Sequence, residues 1–408
     1  MLEALDQGVK GGVWFSLIDK VYRPQVLVQA WGQVRGKGRA IGSDHQSLEQ
    51  FEAQLESNLR TLEEEVRAGE YRPRPIRRVY IDKPGSKAKR PLGVPAVRDK
   101  VVQTALRMVI EPIFEREFID TSFGFRPGRG CKDALRRVEQ LLKAGYTWVV
   151  DADLKGFFET IRHEQLMAEV RQRIADSRVL ELIESFLKQQ ILEDLQLWTP
   201  EMGAPQGAVI SPLLSNIYLH EVDKAMKMAG YEMVRYADDF VILCKSQPEA
   251  EAALERVSEL VQERGLSLNA DKTSLVNTHQ PGEGFDFLGY HFEKGTRWPR
   301  KKSLEKFKEA IRRQTGRSNG RSIAEIIAGI NKTSEGWFEY FKHSHWRAFK
   351  PLDGWMRRRL RSILRGYRKG KGISRGRDHI RWPNNYFQAL GYFSLYDAHR
   401  ALLQSSRG

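Results

Sequence analysis

The chain has 408 residues, 41% of them hydrophobic and 29% charged, which provides for two or three domains with real cores and excludes a disordered polymer. Its formal net charge is +15, and that charge is concentrated: residues 300–381 hold 24 Lys and Arg against 7 Asp and Glu, a net of +17, so the rest of the chain sums to −2. Two cysteines outside any Cys-x-x-Cys pair, Cys131 and Cys244, exclude a disulfide framework, a disulfide-linked partner and a Cys-rich zinc module.

The basic segment predicts a polyanion-binding surface, with nucleic acid favoured over membrane. No apolar run approaches the roughly 18 residues needed to span a bilayer. The N-terminus lacks a basic head followed by an apolar stretch. A cytoplasmic protein with no membrane partner is expected.

Residues 1–40 are weakly patterned and read as an N-terminal extension ended by Gly36-Lys37-Gly38. Leu48, Phe51, Leu55, Leu59, Leu62 and Val66 repeat at helical spacing, with Ser43 or Asp44 as candidate cap and Gly69 as stop. Arg77 to Pro84 and Lys89 to Pro95 form two extended arms joined through Gly85-Ser86, a hairpin that either presents cations or is simply solvated. A helix from Val97 to about Phe118 leads to Ser122-Phe-Gly-Phe-Arg-Pro-Gly-Arg-Gly130. Arg126 there can stack on a base or pair with phosphate; a loop tucked onto the core explains the same residues.

Trp148 to Leu154 is a strand whose apolar run ends in acids, and alternation puts Asp151 and Asp153 on one face. Gly203-Ala-Pro-Gln-Gly207 is a Gly/Pro turn feeding a helix through about Met228. Val234 to Cys244 has two β-prone arms around Tyr236-Ala-Asp-Asp239, a hairpin with acids at its tip. On the dipeptide alone a solvated turn is the favoured reading, since acidic residues are common in turns. A helix over 248–264, a short strand within 266–276 and a strand over Phe285–Tyr290 follow. Beyond Arg300 the chain is helical and basic, with Trp337, Phe338, Tyr340 and Phe341 on one element. Arg357, Arg358 and Arg361 lie on the next, and a loop spans 366–377.

Asp153 and Asp238-Asp239 each sit at the end of a β element. Three converging carboxylates can hold two Mg²⁺ ions about 4 Å apart, the arrangement used for nucleotidyl transfer.

Several blocks in order carry a resemblance: Ile81-Asp-Lys-Pro through Leu92-Gly-Val-Pro95, Ser122-Phe-Gly-Phe-Arg-Pro127, Asp153-Leu-Lys-Gly-Phe-Phe158, and Gly203-Ala-Pro-Gln-Gly through Ser211-Pro-Leu-Leu-Ser-Asn216. Arg235-Tyr-Ala-Asp-Asp239, Gly265-Leu-Ser-Leu-Asn through Lys272 and Phe287-Leu-Gly-Tyr290 complete the set. In that order and spacing the chain resembles the group II intron reverse transcriptase/maturase family of bacteria, and Gly336-Trp-Phe-Glu-Tyr-Phe341 resembles its thumb.

The resemblance implies an α+β right-hand polymerase. Fingers and palm would occupy 41–295 around an antiparallel palm sheet, and an all-α basic thumb/maturase domain 296–408. Asp153, Asp238, Asp239 and the Leu154 carbonyl would hold the Mg²⁺ ions. Lys83, Arg90 and Gln206 would meet the dNTP, and Phe158 would exclude a 2′-hydroxyl. Lys272 would lie near the primer backbone, while Arg126, Tyr236, Arg357, Arg358 and Arg361 are assigned to nucleic-acid contact. The implied partners are an RNA template, a DNA primer and structured group II intron RNA.

The sequence departs from the family pattern at Ala208 and at Gly42-Ser-Asp-His45. It also shows no paired cysteines of the C-terminal HNH endonuclease that many members carry, so self-encoded second-strand cleavage is not expected. A free-standing reverse transcriptase in host defence or repair, and an RNA-binding splicing cofactor with an unused polymerase site, remain the alternatives.

Overall fold

A computed structural model describes residues 12–36, 40–82, 89–316, 320–370, 372 and 374–405. Its strands in chain order are β1 (Ile76–Asp82), β2 (Lys89–Val94), β3 (Trp148–Asp153), β4 (Ile191–Glu193), β5 (Gln196–Trp198) and β6 (Glu232–Tyr236). β7 (Asp239–Cys244), β8 (Ser274–Asn277), β9 (Phe285–Phe287), β10 (Tyr290–Glu293) and β11 (Thr296–Pro299) follow. Contacts divide the chain into a unit ending at Val276 and a second beginning at Asn277.

The first unit is built on helix Val97–Glu115, which is buried on every side, as expected of a central core helix. Val101, Val102, Ala105, Leu106 and Ile110 pack with Leu27, Ala30 and Trp31 of helix Pro24–Arg35 and with Leu59, Leu62 and Val66 of helix Leu55–Ala68. Residues expected as an N-terminal extension therefore supply core. The helix expected across Leu48–Val66 is two helices broken at Gln54, and the first is capped by a reciprocal Ser47–Gln50 box rather than by Ser43 or Asp44.

Two sheets flank this core, ordered β2-β1-β4-β5 and β6-β7-β3-β8. β1 and β2 pair antiparallel from Arg77↔Val94 to Asp82↔Lys89. β7 pairs antiparallel with both β6 and β3, which is the palm sheet of the sequence reading. The fold is mixed α+β, as the sequence predicts.

The second unit starts with the antiparallel sheet β11-β10-β9. The expected single strand over Phe285–Tyr290 is a hairpin instead, because Leu288 and Gly289 both take positive φ (46° and 84°) and reverse the chain. These strands pair with one another and lie in the unit that begins at Asn277. The helices that follow, among them Lys301–Gln314, Ile323–Phe341 and Phe349–Tyr367, enclose Phe307, Ile311, Ile330, Phe338, Met356 and Leu360. A short helix, Gly376–Arg381, begins inside the loop expected over 366–377. Among the described residues no helix is long and apolar enough to cross a membrane.

Candidate active site

The acids singled out in the sequence lie at one end of the palm sheet. β3 ends in Asp153, β7 begins with Asp239, and the ladder pairs these two residues directly. Tyr236 faces Asp239 from β6, so Ala237 and Asp238 alone form the hairpin tip. Ala237 takes φ +60° at the first position of this two-residue turn. Alternation sends Val150, Ala152 and Leu154 into the core, which leaves Asp151 and Asp153 on the opposite face.

Burial, and then the neighbouring Asp153 charge, push the Asp238 carboxyl above its usual range; the cations of Arg90 and Arg235 pull it back. Lys272 Nζ donates to Asp153 Oδ2 at 2.6 Å, and Asn269 Nδ2 approaches the same oxygen at 3.4 Å. Leu154 sits opposite Leu268, but the bonds of that bridge run from Lys155 N to Ser267 O and from Asn269 N to Asp153 O. The Leu154 carbonyl is not an acceptor in it.

Among the described residues no three His, Cys, Asp or Glu side chains already converge on one point as metal ligands. The chemistry nonetheless fits a hard divalent cation: Asp238 is held close to the Asp153 charge, and the positive charge of a cation relieves such crowding. Here the Lys272 ammonium supplies that charge at Asp153.

Next to the acids lies the Gly/Pro turn. Arg90 Nε donates to Gln206 Oε1 at 2.9 Å, so two residues expected at the nucleotide touch one another. Gly93 N donates to Gln206 O at 2.6 Å, which fastens the turn to β2. Gly207 has φ +102°, and a Cβ there would lie 2.4 Å from Gly93 O, so the close approach requires glycine. Phe158 is buried with its ring 5.2 Å from that of Phe157, and its carbonyl accepts from Ala204 N at 2.7 Å. Phe158 and Gln206 both line a cavity of about 340 Å³ together with Arg78, Trp198 and Pro205. Lys83 lies outside the described residues.

Two of the expected nucleic-acid contacts need correcting. Arg126 is buried, and all its N–H groups are committed: Nε and Nη2 to the Glu115 carboxylate, Nη1 to the carbonyls of Ile119 and Ser122 at 2.6 and 2.7 Å, and Nη2 also to Phe118 O. It closes the Ser122–Gly130 loop onto the core, leaving no donor for phosphate. Arg361 is likewise buried, donating from Nε to Trp382 O at 2.8 Å and from Nη2 to Asn384 Oδ1. On the same helix Arg357 stacks over Tyr392 and Arg358 is exposed. Tyr236 is half-buried, and its contact with the Cys131 thiol, followed by burial, pushes the phenol up to about 12.

The sequence reading missed Asp223, which holds Arg235 in a buried ion pair behind the hairpin. A signal existed. Asn216 and Asp223 lie seven residues apart on a helix whose neighbouring positions are buried, and polar side chains stacked on a buried face need a polar partner.

Residues 81–292, more than half of the chain, match the family described as Reverse transcriptase (RNA-dependent DNA polymerase). The chain is a member of the reverse transcriptase family. Residues 304–382 match the Group II intron, maturase-specific domain, so the polymerase module is followed by a maturase module, as the motif order suggests. The chain is 43% identical over 300 residues to the Group II intron-encoded protein LtrA of Lactococcus lactis subsp. cremoris, covering 58% of this chain and 49% of that one. It is 37% identical over 288 residues to Protein YkfC of Escherichia coli (strain K12), covering 61% of this chain and 74% of that one. It thus spans about half the length of LtrA. The solved structure of a partial Cas6-RT-Cas1–Cas2 complex aligns with TM-score 0.40 and 26% identity over 61% of this chain and 41% of that one. Membership of the reverse transcriptases brings dependence on a divalent metal in general terms.

Proposed function

We propose that this reverse transcriptase extends a DNA primer on an RNA template with dNTPs, using two Mg²⁺ ions, and that it also binds group II intron RNA to assist splicing and mobility. The observation that carries the polymerase reading is the direct pairing of Asp153 with Asp239 across β3 and β7, with Asp238 at the adjoining tip. Bound there, the ions would lower the barrier by neutralising charge on the transferring phosphoryl group and its oxygens.

The chain's own residues would do the rest. Asp153, Asp238 and Asp239 would present carboxylate oxygens, with the Leu154 carbonyl beside them. Arg90, braced by Gln206, would grip the triphosphate, a task suited to a guanidinium fork; Lys83 belongs to the same proposal. Phe158 would lie under the sugar and exclude a 2′-hydroxyl. Lys272 would leave Asp153 when the metal loads and turn toward the primer backbone. Tyr236 would contact the nucleic acid beside the acids, and Arg357 and Arg358 would meet RNA on the maturase module. The match of residues 304–382 supports the intron RNA as partner.

Primer extension on an RNA template with dNTPs and Mg²⁺ tests the reading, with Asp238→Ala/Asp239→Ala beside the wild type and RNA retention measured on both. Extension by the wild type alone, with RNA retained by both, is the expected result. A folded, RNA-retaining wild type that extends nothing would overturn the polymerase reading and leave an RNA-binding splicing cofactor.

A further inference from the structure

Arg235 immediately precedes Tyr236, yet it faces away from the site and is 2% exposed. Its Nε donates to Asp223 Oδ1 at 2.7 Å and its Nη2 to Asp223 Oδ2 at 2.5 Å. Its Nη1 donates to Asn216 Oδ1 at 3.0 Å and to the Ala237 carbonyl at 2.8 Å. That carbonyl belongs to the peptide that joins Ala237 to Asp238.

The same network holds the segment beneath the hairpin. Arg235 N donates to Thr121 O, Phe123 N donates to Arg235 O, and Asn216 Nδ2 donates to Gly124 O, each at 2.9 Å. Gly124 lies so close that a Cβ on it would stand 2.1 Å from Ala237 N. The tip is therefore pressed from below by backbone and held from behind by a guanidinium.

Stability does not account for this arrangement. A buried ion pair costs about as much in desolvation as it returns, and apolar residues of similar volume often serve as well. What an apolar pair lacks is a donor for the Ala237 carbonyl. We propose that Arg235 is a positioning residue: held by Asp223 and Asn216, it fixes the Ala237–Asp238 peptide and so aims the Asp238 carboxylate. The proposal deepens the polymerase reading and rests on it for the kinetic arm of its test.

The variant that isolates this role is Arg235→Met/Asp223→Leu, which removes both charges together and leaves neither one buried alone. Two measurements are made on it. In primer extension, kcat is expected to fall about 10²-fold, the scale of a misplacement near 1 Å, with the dNTP KM within about threefold and RNA retention unchanged. In a Mn²⁺ titration of the protein without nucleic acid, read from the free-ion EPR signal, half-saturation is expected to rise about tenfold. A Asp238→Asn/Asp239→Asn control identifies which bound ions belong to the site.

Arg235→Lys guards against a double variant that fails to fold. It keeps a cation beside Asp223 but cannot also make the fork's bond to Ala237 O, so the same two effects at smaller size are expected. A folded variant with wild-type kcat and wild-type Mn²⁺ binding would overturn the proposal. A wild type that never extends a primer would instead sink the polymerase reading, while the Mn²⁺ arm would still judge Arg235.

Discussion

Replacing Gly207 by alanine tests whether the Pro-Gln-Gly turn must be pinned to β2 for nucleotide use. The added methyl would stand 2.4 Å from Gly93 O and 3.0 Å from Leu92 Cδ1. Gly93 sits in the β1–β2 ladder opposite Arg78, so the turn must move rather than the strand. Holding alanine at φ +102° costs on the order of 1–2 kcal/mol. A methyl 2.4 Å from a carbonyl oxygen adds steric overlap to that strain. Displacing the turn gives up the Gly93 N to Gln206 O bond, worth about 1 kcal/mol, which is less than strain and overlap together, so the turn is displaced in most molecules while the core is untouched. Displacement carries Gln206 off Arg90, and misplacement near 1 Å costs about 10²-fold in rate. Steady-state extension with a dNTP titration should therefore show kcat/KM down about 10²-fold with RNA retention unchanged. Gly145→Ala is the control: its φ of +89° is similar, but nothing lies within 4 Å of the new methyl. Equal activity of Gly207→Ala and Gly145→Ala would refute the reasoning.

Phe158→Ala should admit rNTPs; single-nucleotide incorporation of UTP against dTTP would show it, and unchanged sugar selection would remove the argument for a gate. Arg126→Ala should act on stability alone, because it strands the Glu115 carboxylate and several carbonyls. With Glu115 partly exposed, a loss of about 2–4 kcal/mol is expected, read as a lower Tm, with RNA retention kept at permissive temperature; retention lost in a folded variant would restore the nucleic-acid role. Asp99 is fully buried on the central helix and accepts from Tyr71 Oη, Arg74 N and Gln189 Nε2. Burial outweighs those donors and pushes its carboxyl up to about 6. A raised folded value means its contribution is complete below about pH 4 and is lost as pH rises through about 6, a swing on the order of 3 kcal/mol. Tm followed from pH 4 to 7 should fall more steeply for wild type than for Asp99→Asn; parallel curves would contradict it.

The hairpin at Asp238-Asp239 and the shared face of Asp151 and Asp153 were legible because both follow from strand alternation and from short turns, which are local. The Pro-Gln-Gly turn was legible for the same reason. What was not legible depends on partners distant in sequence. Nothing near Arg126 says that Glu115 will take its guanidinium, so a buried clamp reads like a phosphate contact. Arg361 fails in the same way, since its acceptors lie on Trp382 and Asn384. Asp223 looks like one more helix acid until Arg235 arrives from the neighbouring strand. The hairpin at Leu288-Gly289 was hidden because leucine rarely takes positive φ, so an apolar run over 285–290 reads as one strand.

The six pairs between β3 and β7, from Trp148↔Cys244 to Asp153↔Asp239, bear on which length changes this gene can tolerate. Side chains in a strand repeat every two residues, so removing a single codon between Phe240 and Cys244 would reverse the facing of everything on one side of the gap. Either the acids would leave the site or Phe240 and Ile242 would leave the core, and no nearby substitution could restore both. Length variation among descendants of this chain should therefore be absent from β3 and β7 and accumulate in connections such as the exposed Asp194-Leu195 turn between β4 and β5, where register ends.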